Sequence, residues 1–203
     1  MSLKKIYGFL FAILFLAYPA LVYFGTLHFS PRIVSLTIIL CLILRLFSSS
    51  ANRLAKIVLP ATLVGLTLCV VSALLDNEVY MQYLPVIYSV LFFLAFGSTL
   101  LRPPSMIEVF ARSVAPSLSP KEVSYCKTIT FIWVLFFAIN GLISAITVYF
   151  ATFKFWVYYN GFIAYILMFL IFVSEFLYRH WKFRRYVGLP TDRFLKKIFP
   201  PIK

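Results

Sequence analysis

Six stretches of the chain, about Ile6–Gly25, Pro31–Phe47, Leu54–Leu75, Tyr80–Leu101, Lys127–Phe150 and Phe155–Tyr178, are long and apolar enough to cross roughly 30 Å of hydrocarbon at about 1.5 Å per residue. The composition agrees with them. Of 203 residues, 63% are hydrophobic and 12% charged, against about 45–50% and about 25% in an ordinary soluble domain. A water-soluble fold of this size has no way to cover so much apolar surface, which excludes a cytosolic enzyme, a disordered chain and a disulfide scaffold. The expected fold class is therefore all-α, a polytopic membrane protein with six transmembrane helices. Residues 1–203 read as one six-span membrane domain with no soluble domain left over. Lys4 and Lys5 ahead of an apolar run resemble a signal peptide. The run is about 20 residues long, however, and lacks a small-x-small cleavage site, so it reads as a first span that stays in place.

Charge sets the expected orientation. Nineteen Lys and Arg against six Asp and Glu give a net charge of +13. The basic residues sit between apolar spans and not along one face, which argues for anionic phospholipid as their counterpart and against nucleic acid. All of them except Arg32 and Lys154 fall in the N-terminus, the Arg45–Lys56 and Arg102–Lys127 loops and the C-terminal tail, whereas Asp76 and Glu78 lie in an opposite loop. The positive-inside rule then places both termini in the cytoplasm, with the chain in a bacterial inner membrane. The basic tail, about 180–203, alternates charge with Phe194, Leu195, Ile198 and Phe199 and reads as a segment hugging the membrane surface.

Local signals mark helix starts. Ser30-Pro31 places a capping hydroxyl before a proline at the first helical position. Ser119-Pro120-Lys121-Glu122 adds a Ser-x-x-Glu capping box, and Ser105-Met106-Ile107-Glu108 reads as another. The latter opens a short amphipathic segment, about 104–115, with Met106, Ile107, Phe110 and Val114 on one face and Glu108, Arg112 and Ser113 elsewhere.

Chemistry-bearing residues are sparse. Cys41, Cys69 and Cys126 form no C-x-x-C pair and read as small buried apolar residues, so no metal site or cofactor is expected. No hydrolase, metalloprotease or phosphate-loop motif occurs. Three polar features remain. Asn140, followed by Gly141 and sharing a face with Trp133, Ser144 and Thr147, reads first as glue between helices and second as a ligand contact. Glu175 and Arg179 are spaced for an i,i+4 ion pair; with Arg102 they would line a cytoplasm-facing cleft for an anionic head group. Tyr158-Tyr159-Asn160-Gly161, with Tyr165, Tyr83 and Tyr88, matches an interfacial aromatic belt, although a belt needs no amide at Asn160. The candidate ligand-binding residues are thus Arg102, Ser105, Glu108, Asn140, Tyr159, Asn160, Tyr165, Glu175 and Arg179.

From Leu84-Pro85-Val86-Ile87-Tyr88 through Leu101-Arg102-Pro103-Pro104-Ser105, with Ile107-Glu108 and Ala111-Arg112, the chain resembles an uncharacterised bacterial inner-membrane family. The resemblance continues at Trp133, Phe136-Phe137, Asn140-Gly141, Tyr159-Asn160-Gly161, Ala164-Tyr165 and Glu175, and before Leu84 rests mainly on hydropathy. Members are encoded among genes for aryl-polyene or flexirubin-type acyl chains. A weaker similarity to intracellular septation protein A rests on Phe136–Gly141, Lys154 with Trp156, and Tyr178-Arg179-His180. The first resemblance implies a non-enzymatic component that binds, scaffolds or helps export a long-chain acyl or polyene lipid, beside cytoplasmic acyl-chain synthesis enzymes. A small lipid or solute transporter, working as a homodimer, a septation or envelope-integrity factor, and an intramembrane transferase dependent on Asn140, Glu175 or Ser105 are the alternatives.

Overall fold

The structure, a computed structural model, describes residues 21–48, 53–186 and 192–200. Apart from its end, the expected first span lies outside the described residues. The described chain is helical, with no strand among the described residues. Residues 21–28 form the end of α1, followed by α2 (Pro31–Ser48), α3 (Arg53–Leu75), α4 (Val79–Gln82), α5 (Leu84–Leu101) and α6 (Met106–Val114). Then come α7 (Pro120–Phe150), α8 (Phe153–Tyr158), a π-turn (Tyr159–Ile163), α9 (Ala164–Phe183) and α10 (Asp192–Ile198).

Three helical stretches are long and apolar enough to cross a membrane, Val79–Leu101, Pro120–Phe150 and Phe153–Phe183; Pro31–Ile43 and Thr62–Leu75 are shorter apolar helical stretches. Many of the largest apolar side chains face outward, among them Leu74, Leu101 and Phe150. In water such a surface would drive aggregation; against lipid tails it costs nothing, and the arrangement fits a membrane protein.

The described residues divide into two compact units, one lying within 1–92 and 137–165, the other within 93–136 and 166–203. The first is centred on Val22, Val34, Met81 and Trp156, packed against Ile38, Val148, Phe153 and Val157. Trp156 is fully buried and donates its indole N–H to the Gln82 carbonyl at 3.1 Å, which removes the one polar cost of burying that ring. Small residues set the helix approaches. A Cβ on Gly25 would stand 2.8 Å from Val34, and one on Gly65 would stand 2.9 Å from the Tyr88 hydroxyl.

The start of α2 differs from the expected Ser30 cap. The side-chain acceptor for its free first-turn N–H is Asp76, whose Oδ1 takes the Arg32 N–H at 2.9 Å. Asp76 reaches it because it ends α3 with a left-handed backbone (φ 49°), a conformation that aspartate tolerates better than most residues. Arg32 in turn donates Nε to the Ala73 carbonyl at 3.0 Å, near the C-terminus of α3. Each helix thus caps the other. Asp76→Ala is expected to lower stability by about 1 kcal/mol, measured by reversible unfolding in mixed micelles, while Ser30→Ala changes it by less.

In the second unit the capping box at Ser119 forms as expected: Glu122 Oε2 accepts the Ser119 N–H at 2.7 Å and Ser119 Oγ accepts the Glu122 N–H at 3.3 Å. The expected box at Ser105 does not form. Ser105 is the N-cap of α6 but makes no side-chain cap, and its buried Oγ has no partner. The α6 donors are already satisfied from neighbouring helices, the Met106 N–H by Thr99 Oγ1 at 2.9 Å and the Ile107 N–H by Thr130 Oγ1 at 3.2 Å. Glu108 turns instead to Arg112, 2.8 Å away. The amphipathic reading of α6 corresponds to a helix over Met106–Val114 that leaves Phe110 and Val114 exposed and buries Met106 together with Glu108.

Candidate functional site

The predicted site residues separate into two groups. In the first unit α5, α7 and the π-turn assemble a buried polar network. Asn140 donates Nδ2 to Ser89 Oγ at 3.0 Å and accepts the Tyr159 hydroxyl at 3.2 Å. Asn160 accepts the Ser144 hydroxyl at 2.7 Å and donates Nδ2 to the Trp156 carbonyl at 3.1 Å and to Thr147 Oγ1 at 3.4 Å. It does so where the ladder widens, since the Ala164 N–H reaches back five residues to Tyr159. Gly141 brings α7 close to α5, as a Cβ there would stand 3.1 Å from the Ser89 Cβ. Asn140, Tyr159 and Asn160 are all at least nine-tenths buried, and their hydrogen bonds go to one another and to neighbouring helices. This is the glue reading of Asn140, extended to Asn160. Tyr165 lies in the same unit, half-buried in the first turn of α9.

The second unit holds Arg102, Ser105, Glu108, Glu175 and Arg179. Glu175 and Arg179 form the expected i,i+4 pair, with Nε 2.6 Å from Oε1. The Arg179 guanidinium also stands over the Tyr125 ring, 5.5 Å from its centroid, and Nη1 lies 3.9 Å from the buried Cys126 sulfur. Arg102 is exposed at the end of α5 and is not one of the residues that line the cleft beside Glu175. Ser105 and Glu108 belong to the start of α6 and are likewise not among the residues that line it.

That cleft is a groove of about 840 Å³ between α7 and α9, within the size range of small-molecule sites. Its floor is apolar, formed by Ile129, Ile132, Leu170 and Ile171; Lys121 and Lys182 stand at the other end. Between these ends come Tyr125 and Tyr178, stacked with centroids 5.7 Å apart, and the hydroxyls of Ser124, Thr128 and Ser174. The helices run antiparallel here, so the first turn of α7 meets the last of α9 and the gradient from charge to hydrocarbon is continuous. From Lys121 to Ile132 it covers about 16 Å of helix. Lys182 leans back over the rings of Tyr125 and Tyr178, 5.6 and 5.4 Å from their centroids, which holds the ammonium near the groove without an acidic partner among the described residues.

Of the candidate ligand-binding residues, only Glu175 lines this groove. Lys121, Tyr125, Ser174, Tyr178 and Lys182 are not among those candidates, yet the rows Lys121, Tyr125, Thr128, Ile132 and Leu170, Ser174, Tyr178, Lys182 each follow one face of a helix. Among the described residues no cluster of His, Cys, Asp and Glu could hold a metal ion. Comparison of the chain with protein-family models, curated proteins and solved structures finds no match.

Proposed function

We propose that this chain is a multi-pass inner-membrane protein, non-enzymatic, that holds an anionic long-chain amphiphile in the groove between α7 and α9. The observation that carries the reading is the groove's gradient, two lysines at one end and an isoleucine- and leucine-lined floor at the other. An amphiphile with a negative head and a hydrocarbon or polyene tail is complementary to both ends at once. An acyl or aryl-polyene-type chain of the kind the sequence resemblance implies is such a molecule. In this reading the chain has six spans with both ends in the cytoplasm. The Arg32–Asp76 contact supports it by bringing the connection after α1 and the connection after α3 to one end of the first unit. The tail adds surface attraction: Lys196 and Lys197 are exposed on α10, which Tyr186 holds through the carbonyls of Leu195 and Phe199.

The test is the lipid that stays with the purified protein. The wild type is expected to retain an anionic long-chain species several-fold enriched over the bulk membrane extract. Lys121→Met with Lys182→Met is expected to lose that enrichment while the protein remains folded. Retained lipid that simply mirrors the bulk extract would overturn the proposal. Substrate flux in proteoliposomes distinguishes holding a lipid from transporting one.

A further inference from the structure

We infer that the groove selects, among anionic single-chain membrane lipids, those that carry a hydrogen-bond donor, a hydroxyl or an amide N–H, within a few bonds of the negative group. This rests on the groove reading above and narrows it. The carrying observation is the unspent half of Glu175. Both Arg179 contacts, from Nε and Nη2, fall on Oε1, and Oε2 accepts no hydrogen bond from any described residue although Glu175 lines the groove. The neighbouring Ser174 hydroxyl is also unpaired among the described residues and lines the same wall.

A carboxylate beside a site for an anion is at first sight an error, because it repels the head group. It becomes consistent when the ligand presents a donor at that depth. A hydrogen bond to a charged acceptor is stronger than one to a neutral acceptor, and in a groove walled by hydrocarbon the gain is larger than in water. The positions agree. Lys182 leans back one turn over Tyr178, and Glu175 lies three residues before Tyr178, so the cationic anchor and the free acceptor are separated along α9 by about 5 Å. A negative group and a donor a few bonds apart on one chain span that distance. A plain fatty acid places methylenes against Glu175 and leaves its oxygen unsatisfied, which is the more discriminating half of the arrangement, since a buried acceptor without a partner costs more than a formed bond contributes.

The experiment measures dissociation constants for three probes of equal chain length, hexadecanoate, 3-hydroxyhexadecanoate and methyl hexadecanoate, on the full-length protein in nanodiscs. The 3-hydroxy acid is expected to bind about tenfold more tightly than hexadecanoate, and both more tightly than the ester. Glu175→Gln, which keeps volume and an acceptor for Arg179, is expected to shrink the hydroxyl preference to about twofold, partly by raising affinity for plain hexadecanoate as repulsion is removed. Equal binding of the two acids, with the ester weaker, overturns this inference and leaves the groove reading standing. Three probes bound equally would overturn the groove reading itself. Should Glu175→Gln fail to fold, the wild-type ratio of the two acids decides the inference alone.

Discussion

Replacing Asn160 with leucine is expected to destabilise the protein by about 2–4 kcal/mol, among the largest effects available from one substitution outside the apolar core. Asn160 is 4% exposed and holds three partners, Ser144, Thr147 and the Trp156 carbonyl, at 2.7, 3.4 and 3.1 Å. In a membrane each interhelical hydrogen bond contributes on average only about 0.6 kcal/mol, because the unfolded helices find other partners in the bilayer. Two such bonds, to Ser144 and Thr147, come to about 1 kcal/mol, since the bond to the Trp156 carbonyl lies within Asn160's own helical run. The remainder comes from the Ser144 hydroxyl, left buried without its acceptor and with no water to replace the amide, whereas the Thr147 hydroxyl keeps the Ser144 carbonyl and the Trp156 carbonyl in α8 keeps the Tyr159 N–H. Leucine is close in size, so the loss reports polar connectivity more than a cavity. Ser144→Ala removes one bond and is expected to cost about 1 kcal/mol. Reversible unfolding in mixed detergent micelles measures both. A loss under about 1 kcal/mol for Asn160→Leu would show that the network is dispensable to the fold and would return Asn160 to consideration as a ligand contact.

How much of this was legible in the sequence follows from what each signal encodes. Hydropathy identified the helical stretches because it depends only on composition over about 20 residues. The Ser119-Glu122 box and the Glu175–Arg179 pair were legible because both partners lie within one turn of the same helix. Partners from distant helices were not. Ser30 and Ser105 carry the local signature of a cap, yet Asp76 in one case and Thr99 with Thr130 in the other take the donors first. The groove escaped for a related reason. Lysine and tyrosine near a membrane interface are expected on general grounds, so Lys121, Tyr125, Tyr178 and Lys182 become informative only once α7 and α9 are seen to place them at one level. Arg102 was grouped with Glu175 because both end helices on the same side, a criterion that fixes depth and not azimuth; α5 contributes nothing to the groove wall.

The same distinction between local signature and tertiary use predicts the second large effect, at Arg112. Glu108 is 6% exposed overall, and its carboxylate is held at 2.8 Å by an Arg112 side chain that is itself 42% exposed. Arg112 also donates Nη1 to the Pro116 carbonyl at 3.1 Å, just beyond the end of α6. The pair is asymmetric. The arginine is less than half exposed but keeps its access to solvent, whereas the glutamate is buried and expensive without its partner. Arg112→Met is therefore expected to cost about 1–3 kcal/mol, with hydrogen exchange across Met106–Val114 rising well before the rest of the chain opens. Glu108→Met with Arg112→Met removes both charges and is expected to recover most of that loss, since methionine fills the space of either stem and leaves nothing to desolvate. Equal losses in the single and double variants would mean that the arginine acts through Pro116 alone and that Glu108 is stable unpaired. Recovery in the double variant would identify Glu108 as a structural carboxylate that docks α6 and would remove it from the candidate ligand-binding residues.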